Sequence, residues 1–143
     1  MKLLATIIEL QVNKIEAKII ELPKIYDSRG NLTVIEGLKQ TPFDIAHTRW
    51  IYGMPSGSSL PGYALRSQSE LVVVISGSCD VTTRCGSDAH TYHMQSASQA
   101  LLLPAMLWHH LSNFSTNTIV LVLSSGANDT NDYIYNEDTL KAL

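Results

Sequence analysis

The chain has 143 residues, enough for one domain with a substantial core. Hydrophobic residues make up 45% and charged residues 16%, a globular balance and not a disordered one. The net charge of −3 excludes the basic footprint that nucleic acid or an anionic membrane surface requires, and no apolar run reaches the ~20 residues of a membrane span.

Residues 1–17 read as an N-terminal extension. Met1 to Ile8 starts like a secretory leader, but Glu9 interrupts the apolar stretch and no small-residue cleavage pattern follows, so a cytoplasmic protein is expected. Leu3, Leu4, Ile7, Ile8 and Val12 fit a helical stripe or, equally, an edge strand exchanged with a partner chain. Residues 18–143 read as one β domain, with short β-rich runs predicted at 19–22, 32–36, 48–52, 71–76, 79–83, 91–94, 100–103, 109–111 and 119–124. Turn chemistry separates them: Asp27-Ser28-Arg29-Gly30-Asn31, Pro55-Ser56-Gly57, Ser76-Gly77 and Cys85-Gly86-Ser87-Asp88. Many short strands with frequent turns favour a sandwich or barrel over alternating strands and helices. The runs Leu71-Val72-Val73-Val74-Ile75 and Ile119-Val120-Leu121-Val122-Leu123 are apolar throughout, which suits a closely packed double sheet or a dimer interface. A short helix is expected after Asn136. Cys79 and Cys85 are too few for a disulfide framework and their spacing fits no zinc pattern. The triplets at Asn31, Asn113 and Asn128 would matter only in a secreted protein.

One spacing pattern carries chemistry. Metal-binding cupins have a Gly, five residues, His-x-His, three or four residues, Glu, six residues and Gly; a second motif is Pro-x-Gly, two residues, His, three residues, Asn. Here Gly57 precedes Tyr63-Ala64-Leu65, Glu70 and Gly77 at those intervals, and Pro104-Ala105-Met106 precedes His109 and Asn113. The frame is kept and the ligands are not: Tyr63 and Leu65 stand at the histidine positions, leaving Glu70 and His109. A catalytic metal site usually takes three protein ligands, so a barrel without metal or other cofactor is expected. His90 and His93, three apart on a strand, face opposite sides and read as surface histidines.

The residues then resemble a family, the WxcM/FdtA/QdtA-like cupins, sugar 3,4-ketoisomerases that act on dTDP-4-keto-6-deoxyglucose. The likeness runs from about Lys18 to about Leu140. It rests on Tyr26-Asp27-Ser28-Arg29-Gly30-Asn31-Leu32, on Glu70 through Ser78-Cys79, on Leu103-Pro104-Ala105-Met106-Leu107-Trp108-His109, and on Asp129 through Ile134. The resemblance implies an all-β, single-domain cupin, a double-stranded antiparallel jelly roll. It implies a homodimer with exchanged N-terminal strands and a metal-free proton transfer through an enediol. It implies a small-molecule ligand, a dTDP-linked sugar. In the family a His-Ala-His pair supplies the acid–base groups; here it reads Tyr63-Ala64-Leu65, and the closing segment's Arg reads Tyr135.

Candidate acid–base residues are therefore Tyr63, Glu70 and His109. A phenol is a weak base at neutral pH, Glu70 buried in an apolar barrel becomes a plausible acid or base, and His109 offers an imidazole, a common proton carrier. Each also has a plain packing explanation: a barrel-lining aromatic, a structural Glu–His pair, a satisfied core histidine. Arg29 offers a fork for a diphosphate or a partner for Asp27. Trp50 and Tyr52 share a strand face and could stack on a base or sugar, or pack in the core. Trp108 flanks His109, and Arg66 and Arg49 could meet phosphate or simply be solvated. Three functions follow: a ketoisomerase with rearranged acid–base residues, a nucleotide-sugar or carbohydrate binding cupin without turnover, and a structural or regulatory dimer.

Overall fold

A computed structural model describes residues 15–143. Most of the N-terminal extension thus lies outside the described residues; its last three carry no regular structure, and Ala17 is buried in the core. The chain then forms β1 (Lys18–Glu21), β2 (Lys24–Asp27), β3 (Gly30–Thr33), β4 (His47–Ile51), β5 (Ala64–Leu65), β6 (Glu70–Ser76), β7 (Cys79–Cys85), β8 (Asp88–Met94), β9 (Gln99–Leu103), β10 (Trp108–Ser112), β11 (Ile119–Ser124), β12 (Tyr133–Ile134) and a short closing helix, α1 (Glu137–Lys141). All strand pairings are antiparallel. A five-stranded sheet in the order β1-β9-β6-β11-β4 packs against a three-stranded sheet, β10-β7-β8; β5 pairs with β12, and β2 with β3.

The core lies between the two larger sheets. Val72, Val74, Leu101, Leu103, Val120 and Val122 meet Cys79, Val81, Met94 and Leu111, with Leu107 and Phe114 filling the ends. Each fully buried aliphatic or aromatic side chain contributes roughly 1.5–3 kcal/mol. The all-apolar runs are strands as predicted, and their doubly covered character has a cause. The other face of the large sheet, Leu71, Val73, Ala100 and Leu123, is packed in part by Ile35, Phe43 and Ile45 from the loop before β4. Strand alternation therefore sends Glu70 to the inner face with Val72 and Val74, while Leu71 and Val73 face out.

Three details depart from the sequence reading. The predicted strand 32–36 is the second arm of a hairpin, ending at Thr33, whose first arm is Lys24–Asp27. The strand predicted at 91–94 begins at Asp88, because β7 and β8 form one long hairpin. The two-residue strands β5 and β12 carried no readable alternation at all. Gly77 closes the β6–β7 turn at φ +73°, and a Cβ there would sit 2.5 Å from Thr118 Oγ1, so only glycine fits. Among the described residues no helix is long and apolar enough to cross a membrane.

Candidate active site

Four polar side chains from both sheets converge at one end of the core. Glu70 begins β6 and is fully buried. Arg49 projects inward from β4, which alternates partly buried and exposed residues. His109 comes from β10, inward with Leu111. Tyr63 precedes β5 and is tied to His109 by a reciprocal backbone pair, each N–H donating to the other's carbonyl at 3.0 Å. Nearby, Met106 donates its N–H to the Leu65 carbonyl at 2.7 Å while holding φ +69°. The cupin frame has glycine at that position, and this backbone conformation is the reason. Gly62 lies under the Trp108 indole, where a Cβ would come within 2.6 Å of the ring.

The Tyr63 hydroxyl donates to Glu70 Oε1 at 2.8 Å. Arg49 Nη2 donates to Glu70 Oε2 at 2.5 Å and to the Tyr63 hydroxyl oxygen at 2.8 Å. Ser124 Oγ adds a third donor to the carboxylate, reaching Oε2 at 3.3 Å. His109 Nδ1 lies 3.1 Å from the Leu107 carbonyl, which can only accept, so Nδ1 carries a proton. Its buried Nε2 stands 3.5 Å from Glu70 Oε1 and has no other polar partner among the described residues. The Tyr63 ring meets the His109 ring edge-on at 4.5 Å between centroids.

The electrostatics follow from these contacts. Burial works to raise the Glu70 carboxyl, but His109, Arg49 and Tyr63 outweigh it and hold it down to about 2. Burial and the neighbouring Glu70 carboxylate push the Tyr63 phenol above its usual value, Arg49 opposing them. At neutral pH the centre holds an ionised Glu70 clamped by a cationic Arg49 and a neutral phenol. Tyr63 also starts an aromatic cluster toward solvent. Tyr133 is 4.9 Å from it between centroids, and Tyr135, largely exposed, stacks nearly parallel on Tyr133 at 5.7 Å.

The structure brings Tyr63, Glu70 and His109 into one cluster. It places the other candidates elsewhere. Trp50 and Tyr52 share a face, as the alternation required, but it is the outer face of the large sheet, where they line a shallow apolar hollow with Ile75, Ile119 and Leu121. Trp108 is buried outside the main core against Ala64 and Ile134. Arg66 is exposed just after β5. Arg29 sits at the β2–β3 hairpin, its guanidinium bonded to Asp27 at 2.9 Å. His90 and His93 are exposed on β8, and His93 Nδ1 bonds Asp80 at 2.6 Å. Among the described residues no three His, Cys, Asp or Glu side chains are grouped to hold a metal ion. Arg49 is what sequence reasoning undervalued. The signal was present: Trp50 and Arg49 alternate, so an outer Trp50 makes Arg49 an inner residue.

A two-sheet antiparallel jelly roll with its polar centre at one end of the core is a cupin-type protein. The comparisons then resolve the family. The model of the family described as "FdtA: WxcM-like, C-terminal" matches residues 15–143. The TDP-4-oxo-6-deoxy-alpha-D-glucose-3,4-oxoisomerase of Aneurinibacillus thermoaerophilus is 31% identical over 126 residues, 88% of this chain and 91% of that protein. The crystal structure of the WlaRB TDP-quinovose 3,4-ketoisomerase from Campylobacter jejuni superposes with a TM-score of 0.86 at 27% identity, over 90% of this chain and 98% of that one. A double mutant of the QdtA 3,4-ketoisomerase from Thermoanaerobacterium thermosaccharolyticum, in complex with TDP, superposes with a TM-score of 0.84 at 26% identity, over 87% and 90%. This chain belongs to the FdtA/WxcM-like family, whose matched relatives are TDP-sugar 3,4-ketoisomerases.

Proposed function

We propose that the chain binds a TDP-linked 4-keto-6-deoxyhexose with its sugar against Tyr63 and interconverts the 4-keto and 3-keto forms. The observation that carries this is the buried hydrogen bond from the Tyr63 hydroxyl to Glu70 Oε1, with His109 Nε2 3.5 Å from the same oxygen. These groups form a proton relay. The Tyr63 oxygen takes the C3 proton as its own proton is drawn to Glu70 Oε1, the oxygen that His109 flanks. The C3 bonding pair moves to the carbonyl, giving an enediolate whose charge faces Arg49. Reversal delivers a proton to C4, and the hydroxyl proton moves from O3 to O4, so no net proton is lost. Arg66, exposed just after β5, has the fork that suits a diphosphate. The reading includes a homodimer joined through the outer face of the large sheet, which places Arg29, Trp50 and Tyr52 at or near the partner copy.

A second reading, binding without turnover, is favoured by one feature: Leu65, buried where the family has its second histidine, offers no acid–base group. One experiment separates the two. The protein is incubated with TDP-4-keto-6-deoxyglucose in D2O and followed by proton NMR. The expected result is a 3-keto product with deuterium at the exchanging carbon, slowed roughly 100-fold or more by Tyr63→Phe or His109→Asn. Saturable binding with no product and no exchange establishes the second reading; no binding overturns both.

A further inference from the structure

Arg49 is held along both edges of its guanidinium. One edge serves Glu70 and Tyr63; on the other, Nη1 lies 3.3 Å from Ser124 Oγ and 3.3 Å from His47 Nε2. A guanidinium only donates, so His47 Nε2 must be the accepting lone pair. The other ring nitrogen, Nδ1, lies 2.5 Å from the Gly126 carbonyl oxygen, which only accepts, so Nδ1 carries the proton. The two contacts together require a neutral imidazole in one tautomer. The Gly126 carbonyl is itself fixed in place. A Cβ at Gly126 would meet the Gln68 side chain at 2.8 Å, and Gln68 Nε2 donates to the Ala127 carbonyl at 2.7 Å. A line of support therefore runs from Gln68 through residues 126 and 127 to His47, then to Arg49 and the polar centre.

We propose that His47 is a positioning residue for the ligand site, holding Arg49 toward Glu70 and Tyr63 only while its imidazole is neutral; its effect on ligand rests on the nucleotide-sugar reading above. Protonation places an N–H and a positive charge against the guanidinium and removes the acceptor for Nη1. From its own strand His47 faces Arg49, a cation. From β11 and the turn after it come the Ser124 hydroxyl and the Gly126 carbonyl. From β6, Glu70 lies beyond the guanidinium and is already engaged by it. Tyr63 stands on that same far side of the guanidinium. The nearest charge to a protonated His47 is thus a like charge.

The test uses the full chain in three forms: wild type, His47→Gln and His47→Phe. A glutamine amide supplies one donor and one acceptor, as the neutral imidazole does, and does not titrate. Nitrogen-15 NMR of the free wild-type protein near neutral pH is expected to show His47 protonated at Nδ1 and bare at Nε2. TDP titrations from about pH 8 down to about pH 5 bracket the usual imidazole range. Wild-type affinity is expected to fall roughly tenfold or more across it. H47Q should bind like wild type at the upper end and lose the larger part of that fall, the remainder being the ligand phosphate's own titration, and H47F should bind weakly throughout. A proton on Nε2 in the free protein, or an unchanged acid limb in H47Q, overturns the proposal. Failure of wild type to bind TDP at any pH would sink the ligand reading instead. The tautomer measurement, made without ligand, decides the positioning of Arg49 independently.

Discussion

At the scale of single residues, Glu70 governs the site. Its charge is fully buried and balanced by Arg49, so removing either partner strands the other. Glu70→Gln is expected to lower unfolding free energy by about 3–5 kcal/mol in chemical denaturation, far more than a surface ion pair would give. A loss below about 1 kcal/mol would mean that Arg49 finds solvent at no cost. The same contacts set the acid stability. Because the carboxyl is held from its ordinary 4.5 down to about 2, the folded state binds its proton less readily than the unfolded chain. The stabilisation is fully present above the ordinary value and drains away as pH falls through that window, on the order of 3 kcal/mol in all. The midpoint of urea unfolding, followed between those pH values, should therefore fall steeply in wild type and only weakly in the glutamine variant. Glu70 and His109 could be grouped from the motif frame because spacing along two strands fixes which side chains face inward. Alternation could mark Arg49 as inward, but it could not join Arg49, Ser124 and His47 to Glu70, since only the sheet register sets β11 beside β6 and β4 beside β11.

At the scale of elements, strands with wholly apolar runs were legible to within a residue, and the ends of the other strands moved by up to three. What was not legible is the short pairing that closes the site. β5 and β12 are two residues each and are held by a side chain instead of a pattern. Asp132 is buried, and its carboxylate accepts from the Ser67 N–H at 3.1 Å, the Ser67 hydroxyl at 2.7 Å and the Gln68 N–H at 3.2 Å. It thereby fastens the turn before β12 to the loop before β6, and so sets Tyr133 and Tyr135 beside Tyr63. Asp132→Ala leaves two backbone donors without partners, a loss of about 3 kcal/mol. Because the damage is local, amide exchange should accelerate in residues 133–143 and in 64–68 while β6 and β11 stay protected. Uniform acceleration across the sheets would show that this clasp supports the whole fold and not the mouth alone. Tyr135 should then lose its stacking on Tyr133, read as a change in near-ultraviolet dichroism.

At the scale of the whole molecule, the question is what covers the outer face of the large sheet. Trp50 is 60% exposed, Tyr52 70% and Ile75 46%, and the three line one apolar hollow with Ile119 and Leu121. A second hollow on this side runs from Leu22, Lys24 and Ile35 across Val73 and Ile75 to Leu121 and Leu123, and the β2–β3 hairpin exposes Ile25, Tyr26 and Leu32. Scattered exposed apolar residues need no explanation, but a continuous apolar face of this kind on one side of a sheet marks a surface made to be covered. The inner face cannot be its counterpart, since it is already packed against β7, β8 and β10. A second copy fits because the same face meets itself across a twofold axis, the commonest arrangement of soluble oligomers. Light scattering with size exclusion should therefore give twice the 15.8 kDa chain mass at micromolar concentration. Trp50→Glu, which places a charge at the centre of the face and leaves the inner core untouched, should shift the chain to a monomer that retains its far-ultraviolet dichroism. A wild-type chain that elutes as a monomer would leave the face to some other partner. A folded W50E dimer would place the contact elsewhere on the molecule.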